Sequence, residues 1–92
     1  MFIVVDFGKR FSKLRVLDTT DNITEEIDVS TLASARANGI ELYPMYLRMV
    51  DVKSVQHGNG YLIEKRNDGK RLVIPSSILE QYVHSGFAVI AK

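Results

Sequence analysis

The sequence predicts an α+β fold dominated by strands, a compact single domain over residues 1–92 with about seven or eight strands and two short helices. Three observations carry this expectation. Short runs rich in Val, Ile, Leu, Tyr and Phe recur along the chain, each bounded by turn-forming residues. Only two stretches read as helix, an alanine-rich one at Thr31–Ala37 and one after Pro75. The halves of the chain also follow one plan, because Leu17–Leu32 lies over Ile63–Ile78 without a gap at an offset of 46 residues.

Phe2–Phe7 opens the chain as a strand, and Gly8–Lys13 (GKRFSK) is a basic loop. Leu14–Leu17 is a strand, and Asp18–Asn22 is a turn of Asp, Thr and Asn. Ile23–Val29 alternates apolar and polar residues as a half-buried strand does. Thr31–Ala37 follows as a helix capped by Ser30 and ended by Gly39. Ile40–Tyr43 is a short strand stopped by Pro44, Met45–Val55 is the longest β-type stretch, and His57–Gly60 (HGNG) is a flexible turn.

Gly60–Lys92 is the clearest segment. Tyr61–Ile63 and Leu72–Ile74 are strand runs joined by EKRNDGKR, with Gly69 at a left-handed turn position and charged, solvated flanks. Pro75 begins a helix with Ser76 or Ser77 as cap, and Glu80 stands at capping-box spacing from Ser77. Ile78, Leu79, Tyr82 and Val83 form one apolar stripe, Gly86 ends the helix, and Phe87–Ala91 is a closing strand.

In the overlay of the halves, Leu17 meets Ile63, Asp21-Asn22 meets Asn67-Asp68, Ser30 meets Ser76, and Leu32 meets Ile78. Val5-Asp6 precedes the first loop as Val50-Asp51 precedes the second. Internal duplication, 1–46 and 47–92, and convergence on the same turn and cap chemistry both account for the pattern. Duplication implies a pseudo-two-fold barrel of two ββαβ halves, neither able to bury its sheet alone.

Ninety-two residues with 46% apolar and 25% charged side chains suit a folded domain rather than a disordered segment. No apolar run approaches the roughly 20 residues of a membrane span. MFIVVDFG meets Asp6 too early for a signal peptide and reads as a strand. The absence of cysteine excludes disulfides and thiolate metal sites and fits a reducing cytoplasm, where the chain is expected. A net charge of +1 argues against a dedicated, non-specific nucleic-acid binder.

Charge is nevertheless clustered. Eight of the twelve basic residues lie in two segments, Lys9, Arg10, Lys13 and Arg15 in and after the first loop, and Lys65, Arg66, Lys70 and Arg71 around the second hairpin turn. The equivalent first hairpin is acidic, with Asp18, Asp21, Glu25, Glu26 and Asp28. Such tips keep a β-rich surface soluble and its edges unpaired, or they form a bipolar surface for an acidic partner, a phosphate backbone or another copy.

Catalytic signals are absent. His57 and His84 have no second ligand at metal spacing, so no metal is expected. Ser76 and Ser77 lack a GxSxG context, and Gly58 and Gly60 lack a phosphate-loop context, so no cofactor is expected either. Glu25, Glu26 and Asp28 read as a solvated strand, and Tyr43, Tyr46, Tyr61 and Tyr82 as core, interface or stacking residues.

Gly69–Leu79 (GKRLVIPSSIL) resembles the strand–proline–helix signature of AbrB-like swapped-hairpin regulators. The resemblance covers about a third of the chain, with a shorter loop after the helix and one strand fewer at the end. It implies DNA contact by basic residues near the hairpin, here Lys65, Arg66, Lys70 and Arg71.

The sequence thus leads us to expect a small non-enzymatic binding module. It would act through a protein partner as a regulator or inhibitor, and would self-associate as a homo-oligomer. Nucleic-acid binding through the two basic clusters is the alternative, and no membrane association is expected.

Overall fold

Alternation along the first two apolar runs builds one sheet. In the computed structural model, which describes residues 1–91, β1 (Phe2–Phe7), β2 (Lys13–Asp18) and β3 (Ile23–Asp28) are consecutive antiparallel strands. Helix α1 (Val29–Ala37) then carries the chain back to β4 (Leu42–Tyr43), which pairs parallel to β1. The sheet order is β3-β2-β1-β4. Register sets Val4 opposite Val16 and Phe7 opposite Leu14, so all four point to one face and are buried. Val29 and Leu32 of α1 are buried too, and the Phe7 and Phe11 rings meet edge to face at 6.3 Å.

The second sheet is built in the same sequence of elements. β5 (Met45–Val55), β6 (Gly58–Lys65) and β7 (Arg71–Pro75) are antiparallel neighbours, followed by α2 (Ser76–His84) and β8 (Ala88–Ala91), in sheet order β7-β6-β5-β8. Leu47, Ile63 and Ile74 on one face are fully buried with Leu79 and Tyr82 of α2 and with Phe87 and Ala88. Helix α2 lies against β6, β7 and β8.

The described residues therefore form eight strands in two sheets and two helices, an α+β architecture dominated by strands, as the sequence predicts. The chain divides into two compact units, Met1–Met45 and Tyr46–Lys92, within one residue of the boundary between the expected halves. Each unit extends the expected ββαβ plan by a leading strand, β1 or β5, which takes an inner place in its sheet. Both leading strands carry a β-bulge, between Val4 and Asp6 and between Met49 and Asp51. At each bulge the aspartate accepts the next backbone N–H, from Phe7 at 2.7 Å and from Val52 at 2.8 Å.

Three local expectations are corrected. Helix α1 begins at Val29, and Ser30 lies inside its first turn; Asp28 holds the N-cap position without a side-chain hydrogen bond to the helix. The Val29 N–H instead donates to the Ser12 carbonyl at 2.8 Å, so loop backbone fills the role expected of a hydroxyl. Helix α2 begins at Ser76 with Pro75, the last residue of β7 and opposite Gly60, at the N-cap position, and the proline ring has no polar atom with which to cap. The HGNG turn shrinks to Gln56 and His57, His57 taking φ 68°, and Gly58–Gly60 already pair with β5. Gly60 is required there by space: a Cβ would stand 2.7 Å from Val55 Cγ1 and 2.9 Å from the Ile74 carbonyl oxygen.

Candidate functional site

The basic hairpin of the second unit sorts its cations by the pleat of β6 and β7. Side chains two apart share a face. Lys65 is in register with buried Leu47 and points inward; it is only 3% exposed, and its Nζ lies 2.9 Å from Asp68 Oδ2. The expectation of a solvated Lys65 is thus corrected: its charge is engaged within the turn. Asp68 also accepts the Lys70 N–H at 2.9 Å, and that bond first, then Lys65, holds its carboxyl below the usual range. Gly69, at φ 72°, closes the turn by donating its N–H to the Lys65 carbonyl at 2.8 Å.

Glu64 and its register partners face the opposite way. Arg48, Glu64 and Arg71 stand in one row across β5, β6 and β7. The Arg48 Nη2 lies 2.8 Å from Glu64 Oε2, and the Arg71 Nε lies 3.3 Å from Oε1. Hydrogen bonds from Arg48 and then Arg71 keep the Glu64 carboxyl below its ordinary pKa, against partial desolvation. Tyr46, two residues before Arg48 on β5, is 52% exposed, and its carbonyl accepts the Arg66 N–H at 3.1 Å. Arg66, Lys70, Arg71 and Val73 are exposed. This outer face of β5–β6–β7 gathers an exposed tyrosine, three arginines, Glu64, which ties two of them in place, and farther along β5 the ion pair of Asp51 and Lys53 at 3.3 Å.

The basic cluster of the first unit has a different fate. Register places Lys13 opposite Asp28, with Nζ 3.8 Å from Oδ1, and places Arg15 between Asp6 and Glu26. Glu26 accepts the Lys9 backbone N–H through Oε1. The acidic strand thus lines up against the basic one inside the same unit, as cross-strand pairs of opposite charge favour. Lys9, Arg10 and Arg15 keep exposed side chains.

The first unit also carries an open apolar groove of about 160 Å³ beside α1, walled by Phe2, Ile27, Leu32, Ala35, Ile40 and Leu42, with Arg36 also in its lining. Ile40 is 41% exposed there. A smaller hollow adjoins it through Phe2 and Ile27 and is lined by Asp18, Asp21 and Glu25. The strip runs from apolar to acidic.

His57 sits at the tip of the β5–β6 hairpin and His84 in the last turn of α2, both exposed. Among the described residues no three His, Cys, Asp or Glu side chains gather in metal-binding geometry. No helix among them is long and apolar enough to cross a membrane. Tyr82 is fully buried in the second core, where desolvation pushes its phenol up to about 12.

The sequence reading left Tyr46 among core, interface or stacking residues and Glu64 among the solvated flanks of the turn, and it did not single out Arg48. The alternation Tyr46-Leu47-Arg48 was a usable signal, since it puts a tyrosine and an arginine on one face with leucine on the other. Bringing Arg71 into the row needed the three-strand register. The groove draws on β1, β3, α1 and β4 and had no local signature. No protein-family model, no curated protein and no solved structure matches this chain.

Proposed function

We propose that the chain is a small non-catalytic module, a regulator or inhibitor, that acts by binding another protein. The groove of the first unit carries this reading. Apolar walls, an exposed Ile40 and an acidic hollow next to them suit a peptide segment with an apolar anchor and a basic flank. The lack of cysteine supports a reducing compartment, the cytoplasm, as its place of work. Affinity capture from host extract, followed by mass measurement of the intact complex, tests the proposal. A partner should be held in fixed stoichiometry by the wild-type chain, lost with Ile40→Asp, and lost again with Ala35→Trp, which fills the groove. Binding indifferent to both changes would sink it.

A second reading, nucleic-acid binding, is favoured by the exposed Arg66, Lys70 and Arg71 on a unit of positive charge. Residues 46–92 hold seven Lys or Arg against four Asp or Glu, a net +3, whereas residues 1–45 hold five against seven, a net −2. Gel shifts in rising salt should show binding that weakens steeply and that falls with Arg66→Gln and Lys70→Gln. Retention unaffected by these substitutions counts against it.

A further inference from the structure

We propose that the outer face of β5–β6–β7 binds single-stranded nucleic acid, with an unpaired base stacked on Tyr46 and the backbone phosphates held by Arg48, Arg66 and Arg71. The inference rests on the nucleic-acid reading and adds a site, a strandedness and a stacking residue to it. Four observations converge on it.

The second sheet keeps its fully buried side chains on one face. Leu47, Ile63 and Ile74 face inward and are buried, and α2 lies against β6 and β7, while the Arg48–Glu64–Arg71 row belongs to the other face. Tyr46 is 52% exposed on that face, in a strand whose other residues flanking it, Met45 and Leu47, are buried. A tyrosine placed by a strand with its ring open to solvent is a stacking platform, and every base has a π-face to offer it. The cations stand where a strand laid across the sheet would put its phosphates. Neighbouring strands are about 4.8 Å apart, so Arg48 and Arg71 bracket a span of roughly 10 Å, with Arg66 beside Tyr46. Guanidinium groups suit this task because they pair with phosphate bidentately and also stack on bases.

Glu64 sets the geometry. Its two oxygens pair with Arg48 and Arg71 on either side, at 2.8 Å and 3.3 Å, which draws both side chains into one row. The trio retains one net positive charge, and Arg66 and Lys70 add two more at the hairpin. Duplex is the poorer fit, because its bases are already stacked and a sheet face gives Tyr46 no base to receive.

Fluorescence anisotropy with a labelled single-stranded 12-nucleotide homopyrimidine, and with a duplex of the same length, decides the matter. The single strand should bind more tightly than the duplex, with affinity falling as salt rises. Tyr46→Ala should weaken it by about tenfold, and Tyr46→Phe should restore it, since stacking needs the ring and not the hydroxyl. Arg66→Gln should weaken binding and lower the salt slope by about one. Duplex bound as tightly as single strand, or affinity unmoved by Tyr46→Ala, overturns the stacking site and leaves the nucleic-acid reading standing. No binding of either nucleic acid at low salt overturns both. Tyr46 and Arg66 lie outside the buried core, and circular dichroism of each variant verifies that its fold is intact.

Discussion

Lys65 shows how position overrides residue type. Read along the chain it belongs to a run of solvated charges, yet the pleat turns it inward beside Leu47 and the turn supplies Asp68 as its counter-ion. A charge so placed is held by its partner: removing Asp68 leaves a buried ammonium without that counter-ion, whereas removing Lys65 leaves only an exposed carboxylate. Asp68→Ala should therefore lower the thermal midpoint more than Lys65→Met, which keeps the length of the side chain and discards the charge. The reverse order would show that Lys65 is not held in this way. Glu64 gives a pH signature. Its pKa is lowered from an ordinary value of 4.5. The stability it contributes is thus complete above that value and is lost as pH falls through the lowered one. Denaturant midpoints followed downward from about pH 5 should fall less steeply in Glu64→Gln than in the wild type. Single residues such as Gly69, Gly39 and Gly86 were legible in the sequence, since left-handed turns and helix ends ask for glycine and all three adopt positive φ. Tyr46 was not, because its exposure depends on which face α2 covers.

Elements were the most legible level. β1 and β5 fall where the apolar runs place them, and the helices lie within two residues of expectation. Element starts were harder, because the helices begin without the serine caps that the composition suggested. At α1 a backbone carbonyl from Ser12 stands there instead and leaves no mark that propensity can read, whereas at α2 the proline that marks the start in the sequence itself holds the cap position. The β6–β7 hairpin and α2 are joined by the fully buried Ile74. Ile74→Ala should cost about 2–5 kcal/mol in chemical denaturation, the range for a buried isoleucine whose cavity does not collapse. A cost within about 0.5 kcal/mol of zero, usual for exposed sites, would mean that this position is not core.

Across the whole chain, a near-neutral total conceals an acidic first unit and a basic second one. The total was legible at once and argued against a dedicated, non-specific nucleic-acid binder, and the opposite charge of the two hairpins was legible too; the net charge of each unit followed once the units were delimited. The candidate surfaces follow it, with the acidic hollow in the first unit and the arginine face in the second. Opposite charges on one chain favour contact between copies, and that attraction is screened by salt. Sedimentation equilibrium should show oligomers at low ionic strength that dissociate as salt is raised. A monomer at both extremes would end the idea of self-association.

The paired bulges set a rule for chain length. At each, two residues of the leading strand share one partner position, so Val4 and Phe7 both face the core although they are three apart. A regular strand would have turned one of them outward. Removing Val5 would restore simple alternation and leave Phe7 opposite Leu14, whereas removing Ile3 would shift the residues before it to the wrong face. The same holds for Val50 in β5. A single-residue deletion scan, read out by soluble expression and thermal melting, should thus find one permissive position in the interior of each leading strand. Those two positions, equivalent in the two units, are where relatives of this protein could differ in length by one residue and keep the fold.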